Sequence, residues 1–179
     1  MNDFKKDLEY SHDCETMKFW ERAYRHFFPT MASTVVHGQD GEHQRAGVDR
    51  SVILENSKQV LIDEKARRIK DTGDIMLEYT SNDRTGGLGW AEKPLRCDYV
   101  AYAFVPSRKV YLLPFIQLQN AWMRNKEEWL KKYRTKKAPN RNYNTLNCPI
   151  PTNVLFAQIG AGLRYDEATA SEVDQCQKK

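Results

Sequence analysis

Residues 48–67 contain two short apolar runs, VDRSVIL and QVLIDEKAR, joined by ENSK. Val and Ile favour a pleated, half-buried backbone, and Asn56 with Ser57 in so short a connection reads as a turn. The pair therefore predicts a β-hairpin over residues 48–54 and 59–67. Its charges constrain it further. Asp49 lies in the first run, and Asp63, Glu64 and Lys65 lie in the second, where a buried strand would carry more Val or Ile. Side chains alternate along a strand. Asp63 and Lys65 thus share a face with Leu61, while Glu64 points the other way with Val60 and Ile62. Asp49 can meet the first group across the ladder, and the short turn makes that meeting cheap in entropy. Glu64, facing away, is the control position for mutation.

Two carboxylates offer hard oxygen ligands to Mg²⁺, which accepts one or two of them beside waters and phosphate oxygens. Such a metal neutralises charge on a scissile phosphate and lowers the pKa of bound water. A neighbouring lysine orients the nucleophile or stabilises developing charge. The pattern fits phosphodiester hydrolysis, with Asp49 and Asp63 as ligands to Mg²⁺ (or Mn²⁺ in its place) and Lys65 beside the attacking water. The competing reading is a solvated hairpin end, where Asp63 and Lys65 form an exposed ion pair worth little. Gln44, just before the first acidic run, and Arg67 and Arg68, just past Lys65, are candidate contacts to nucleic-acid phosphates. The run Arg124–Arg141 holds eight Lys or Arg against two Glu. It reads either as a phosphate-contacting surface or as an exposed helix face followed by a linker. Trp90, Tyr102, Tyr111 and Trp122 read as core before base-stacking groups.

Asp49, thirteen intervening residues, then Asp63-Glu64-Lys65 resembles the signature of the PD-(D/E)xK nuclease superfamily. The following segment matches too: Gly73, Asp74, an apolar strand ending at Glu78, the TGGLGW loop, then Asp98-Tyr99. Val48 stands where the pattern often has Pro. The resemblance covers about residues 10–130. It implies a restriction-endonuclease-like fold and a Mg²⁺-dependent deoxyribonuclease with DNA as partner. It also implies a homodimer, because cutting two strands takes two sites. The superfamily often adds a glutamate from the first helix, which by position is Glu15, with Glu21 second. The alternative is a member that keeps the fold and grips nucleic acid or protein without cutting.

Elsewhere, apolar spacings of three and four predict a helix over residues 4–28, closed by Pro29. A short strand and loop follow. DIMLEYT alternates as a strand, residues 81–97 read as a loop, and DYVAYAFV with KVYLLPF reads as a second hairpin. A long helix is expected over residues 116–133, with Leu118, Trp122, Trp129 and Leu130 as its apolar stripe, and NVLFAQI reads as a late strand. This order predicts an α/β (α+β) fold, a mixed central sheet flanked by helices. It is read as one domain over 1–179, with its core at about 10–160 and a polar tail at 165–179. The longest uncharged apolar stretch, residues 110–123, contains Pro114, Gln117, Gln119 and Asn120. It falls short of the roughly 20 apolar residues that span a bilayer, so no membrane is expected. The N-terminus lacks an apolar signal segment. The four cysteines are dispersed, with no metal spacing. Both point to the cytoplasm.

Overall fold

The computed structural model describes residues 18–37 and 41–169. Among the described residues the first helix, α1 (Lys18–Phe27), places Phe19, Trp20, Ala23, Tyr24 and Phe27 on one buried face. Phe28 extends the last turn by donating its N–H to the Tyr24 carbonyl, and Pro29 follows. Next come β1 (Met31–Val36), a short helix α2 (Gly41–Arg45), β2 (Arg50–Leu54) and β3 (Gln59–Arg67). The ENSK turn is closed by Ser57 in a left-handed conformation (φ 64°) and by an Asn56 side chain that accepts the Lys58 N–H.

A six-stranded sheet has the order β1-β2-β3-β6-β7-β10, with β6 (Tyr99–Phe104), β7 (Lys109–Pro114) and β10 (Leu163–Asp166). Its pairs are antiparallel except β3 and β6, which run parallel, so the sheet is mixed. The architecture is α/β, a mixed central sheet with helices on both faces. One face carries Ile62, Ala101, Ala103 and Leu112 beneath α1. The other presents Val100, Tyr102, Phe104 and Leu113 to the long helix α3 (Phe115–Lys132) and to α4 (Thr152–Ile159). On α3, Leu118, Trp122 and Trp129 are buried and Leu130 is half-buried. Trp90, Tyr102, Tyr111 and Trp122 all belong to the core. No helix among the described residues is long and apolar enough to cross a membrane.

Several expectations change. β4 (Asp74–Asn82) does not join the central sheet. It belongs to a second, four-stranded sheet of order β5-β4-β9-β8, with β5 (Gly87–Leu88), β8 (Lys136–Pro139) and β9 (Asn144–Pro151). The segment NVLFAQI is helix α4 rather than a strand. Pro151 immediately precedes it, and Gly160 ends it with φ 65°, donating its N–H to the Phe156 carbonyl. Pro before and a left-handed Gly after are helix boundaries. Tyr165 and Asp166, assigned to the polar tail, pair with β7, and Tyr165 is buried.

Candidate active site

Asp49 sits where the chain leaves α2 and enters β2. Gly47 makes that entry with φ 69°, and a Cβ there would lie 2.8 Å from the Leu95 side chain, so glycine is required twice over. The Asp49 backbone is pinned on both sides, its N–H donating to Ile62 at 2.9 Å and its carbonyl accepting from His37 at 2.8 Å. One carboxylate oxygen, Oδ2, accepts the Glu64 N–H at 2.7 Å. The ladder pairs Arg50 with Ile62, which sets Asp49 opposite Asp63.

Asp63 is only 2% exposed. Its Oδ1 accepts from the Lys65 ammonium at 2.6 Å, its Oδ2 is buried and receives no N–H or O–H from the protein, and the two carboxyls of Asp63 and Asp49 share a hydrogen bond when one is protonated. Burial pushes its pKa up to about 7; Lys65 opposes that rise and the neighbouring Asp49 charge adds to it. The exposed-ion-pair reading therefore fails, because water does not screen this carboxylate. Burial works against the charge on Lys65, but Asp63, Asp49 and Glu78 outweigh it and hold the ammonium above its ordinary range. Lys65 keeps 29% of its side chain exposed and lies 6.0 Å from the centre of the Trp90 ring, so the site opens to solvent at Lys65. Glu78, on β4, brings the second sheet to the site. Burial raises its pKa against the opposing charges of Lys65 and Lys93.

Glu64 points away as the pleat requires, but it is no neutral control. It is buried against α1, where its Oε1 accepts from the Tyr24 hydroxyl and the Arg50 Nε, both at 2.6 Å. Arg50 and Glu64 are 5% and 7% exposed. Of the remaining candidates, Arg67 is half-buried on the same strand face as Lys65, its guanidinium against the Tyr102 hydroxyl. Arg68 follows the end of β3 and is exposed. Gln44 lies in α2, and Glu15 lies outside the described residues. Asp98 is a strand-start residue: its Oδ2 accepts the Leu61 N–H and its own N–H donates to the Leu61 carbonyl, both at 2.8 Å.

Two histidines also stand near Asp49. Ser51 shares a strand face with Asp49 by pleat. Its Oγ accepts from Gln59 at 2.6 Å and lies 2.7 Å from His37 Nε2. The His43 ring stacks on His37 with centroids 4.1 Å apart. The signal available in the sequence was the two-residue step from Asp49 to Ser51.

For a divalent cation the described residues offer two carboxylates and no larger set. Among the described residues no three His, Cys, Asp or Glu side chains converge as a ligand set. Asp49 and Asp63 supply two carboxylates, a number Mg²⁺ accepts, and they lie close enough for the Asp49 charge to raise the Asp63 pKa. Comparison with protein-family models, with curated proteins and with solved structures finds no match to this chain.

Proposed function

We propose that this chain is a metal-dependent deoxyribonuclease of the PD-(D/E)xK type, with a restriction-endonuclease-like fold. The observation that carries this reading is the pairing of two carboxylates, the buried Asp63 and Asp49, on one face of the hairpin and close enough to interact directly, with the Lys65 ammonium beside them. Two carboxylates this close repel each other when both are ionised, and the Asp49 charge adds to the rise in the Asp63 pKa. A cation held by Asp49 and Asp63 would relieve that repulsion. When bound, Mg²⁺ or Mn²⁺ neutralises phosphate charge and makes water a nucleophile near neutral pH.

The chain's own residues do the rest. Lys65 is fixed on Asp63 and stays protonated, so it donates to a non-bridging phosphate oxygen as negative charge grows there. The phosphate enters at the Lys65 end, the exposed side of the site. Glu78, from the second sheet, adds a longer-range attraction on the same ammonium. Arg67 continues the positive line along the strand face. Cleavage of both duplex strands would use a homodimer, and among the described residues the buried free thiols of Cys97 and Cys148 suit a cytoplasmic setting.

The test is relaxation of supercoiled plasmid with Mg²⁺ or Mn²⁺. Asp63→Asn and Lys65→Met should each lower the rate by about 10²–10³-fold while the variants still melt cooperatively. Wild-type protein that cuts no form of DNA with either metal would overturn the proposal.

A further inference from the structure

From Trp129 to Tyr165 the chain contains no Asp or Glu. The first part of this stretch, residues 131–141, ends α3 and forms β8 with its turn. It holds Lys131, Lys132, Arg134, Lys136, Lys137 and Arg141, all exposed. Among the described residues no carboxylate lies within ion-pair distance of any of them. Asp83, on which the Lys137 charge acts, has both oxygens engaged by Asn144 at 2.8 Å, which ties the turn after β8 to the end of β4.

The register gives this basic edge a direction. Glu78 pairs with Asn147, and Asn147 pairs with Lys136. Residues paired across a ladder share a face, so Lys136 stands on the Glu78 face of the second sheet, two strand spacings (roughly 10 Å) away. Thr135 faces the other way, its Oγ1 3.2 Å from the Tyr79 hydroxyl. Glu78 in turn interacts with Lys65.

We infer that β8 and its flanks are a DNA-backbone rail that leads one strand to the Asp63–Lys65 site. The rail deepens the nuclease reading and rests on it for the position of the scissile phosphate. A competing explanation for Lys136, Lys137 and Pro139 is protection of an exposed sheet edge against self-association.

The experiment is fluorescence anisotropy of a labelled duplex in EDTA, titrated with full-length protein at several salt concentrations. The variants are Lys136→Gln/Lys137→Gln/Arg141→Gln and a charge control, Arg25→Gln/Lys58→Gln, which removes cations from α1 and the β2–β3 turn. Each lost phosphate contact flattens the log–log salt dependence by about 0.9. The rail variant should therefore lose about 2–3 units of slope and at least tenfold in affinity, with the control near wild type. Equal losses in both variants, or a rail variant that self-associates but binds DNA like wild type, would overturn the rail. The nuclease reading is judged separately. Wild-type protein that cuts DNA while the rail variant binds and cuts unchanged keeps the nuclease and sinks the rail. Rail-dependent binding without metal-dependent cleavage does the reverse. Wild-type protein that binds no DNA sinks both.

Discussion

Asp63 has almost no water to ionise into, and its two neighbours pull in opposite directions. Burial and the Asp49 charge raise its pKa, Lys65 lowers it, and the balance stands at about 7. A folded-state pKa above the unfolded value of 3.8 means that the metal-free fold holds a proton the unfolded chain has released. That contribution to stability is complete below about pH 3.8 and is lost as pH rises to about 7. The groups that face Asp63 are Asp49, Lys65 and, more distantly, Cys97. In EDTA, the stability of wild type relative to Asp63→Asn should fall by a few kcal/mol between pH 4 and pH 8, measured by urea melts. A difference that stays constant with pH would refute the assigned environment. On the opposite face, Glu64→Ala removes the carboxylate that holds the buried Arg50 Nε and the Tyr24 hydroxyl. Breaking a buried pair from one side costs about 3–5 kcal/mol, which a urea melt would detect; a loss under 1 kcal/mol would contradict the pairing. Period-two alternation in the sequence was enough to separate Asp63 and Lys65 from Glu64. It could not tell which charges are buried, because that depends on α1 covering one face and the second sheet closing on the other.

At the scale of elements, the hairpins and α3 were legible because each has one clear period. The β2–β3 and β6–β7 runs are rich in Val, Tyr and Leu, and their turns are marked by Asn-Ser and by Pro-Ser-Arg. NVLFAQI was misread because a short apolar run carries no period that separates a strand from a buried helix. The signal that decides it lay outside the run, in Pro151 and Gly160. β8 and β9 were missed because lysine, asparagine and proline replace the usual alternation, and their strand character comes from pairing with β4. The loop that returns from β4 also has a tight point. Gly89 donates its N–H to the Tyr79 carbonyl, and a Cβ there would lie 2.2 Å from the Glu78 carbonyl oxygen. Backbone cannot step aside as a side chain can, so Gly89→Ala should destabilise the protein by about 1–3 kcal/mol or more. It should also shift Glu78 away from Lys65. Differential scanning calorimetry reads the first effect, and an unchanged midpoint would show that the loop yields freely.

At the scale of the whole molecule, the site belongs to neither sheet alone. The central sheet supplies Asp49, Asp63 and Lys65 through the antiparallel hairpin, and the parallel β3–β6 pair holds that hairpin beside the core. The second sheet supplies Glu78 and, two strands over, the basic edge at β8. This division was not legible in the sequence, since β4 and β9 pair across a long separation and nothing local in either strand announces the other. The central claim is that Asp49 and Asp63 form a cation site. It is tested most directly by anomalous scattering from crystals of the wild-type protein soaked in Mn²⁺ at pH 8. The account predicts a manganese peak at the Asp49 and Asp63 carboxylates, absent in Asp49→Ala crystals treated identically. A fully soaked wild-type crystal with no peak between those two carboxylates would contradict it.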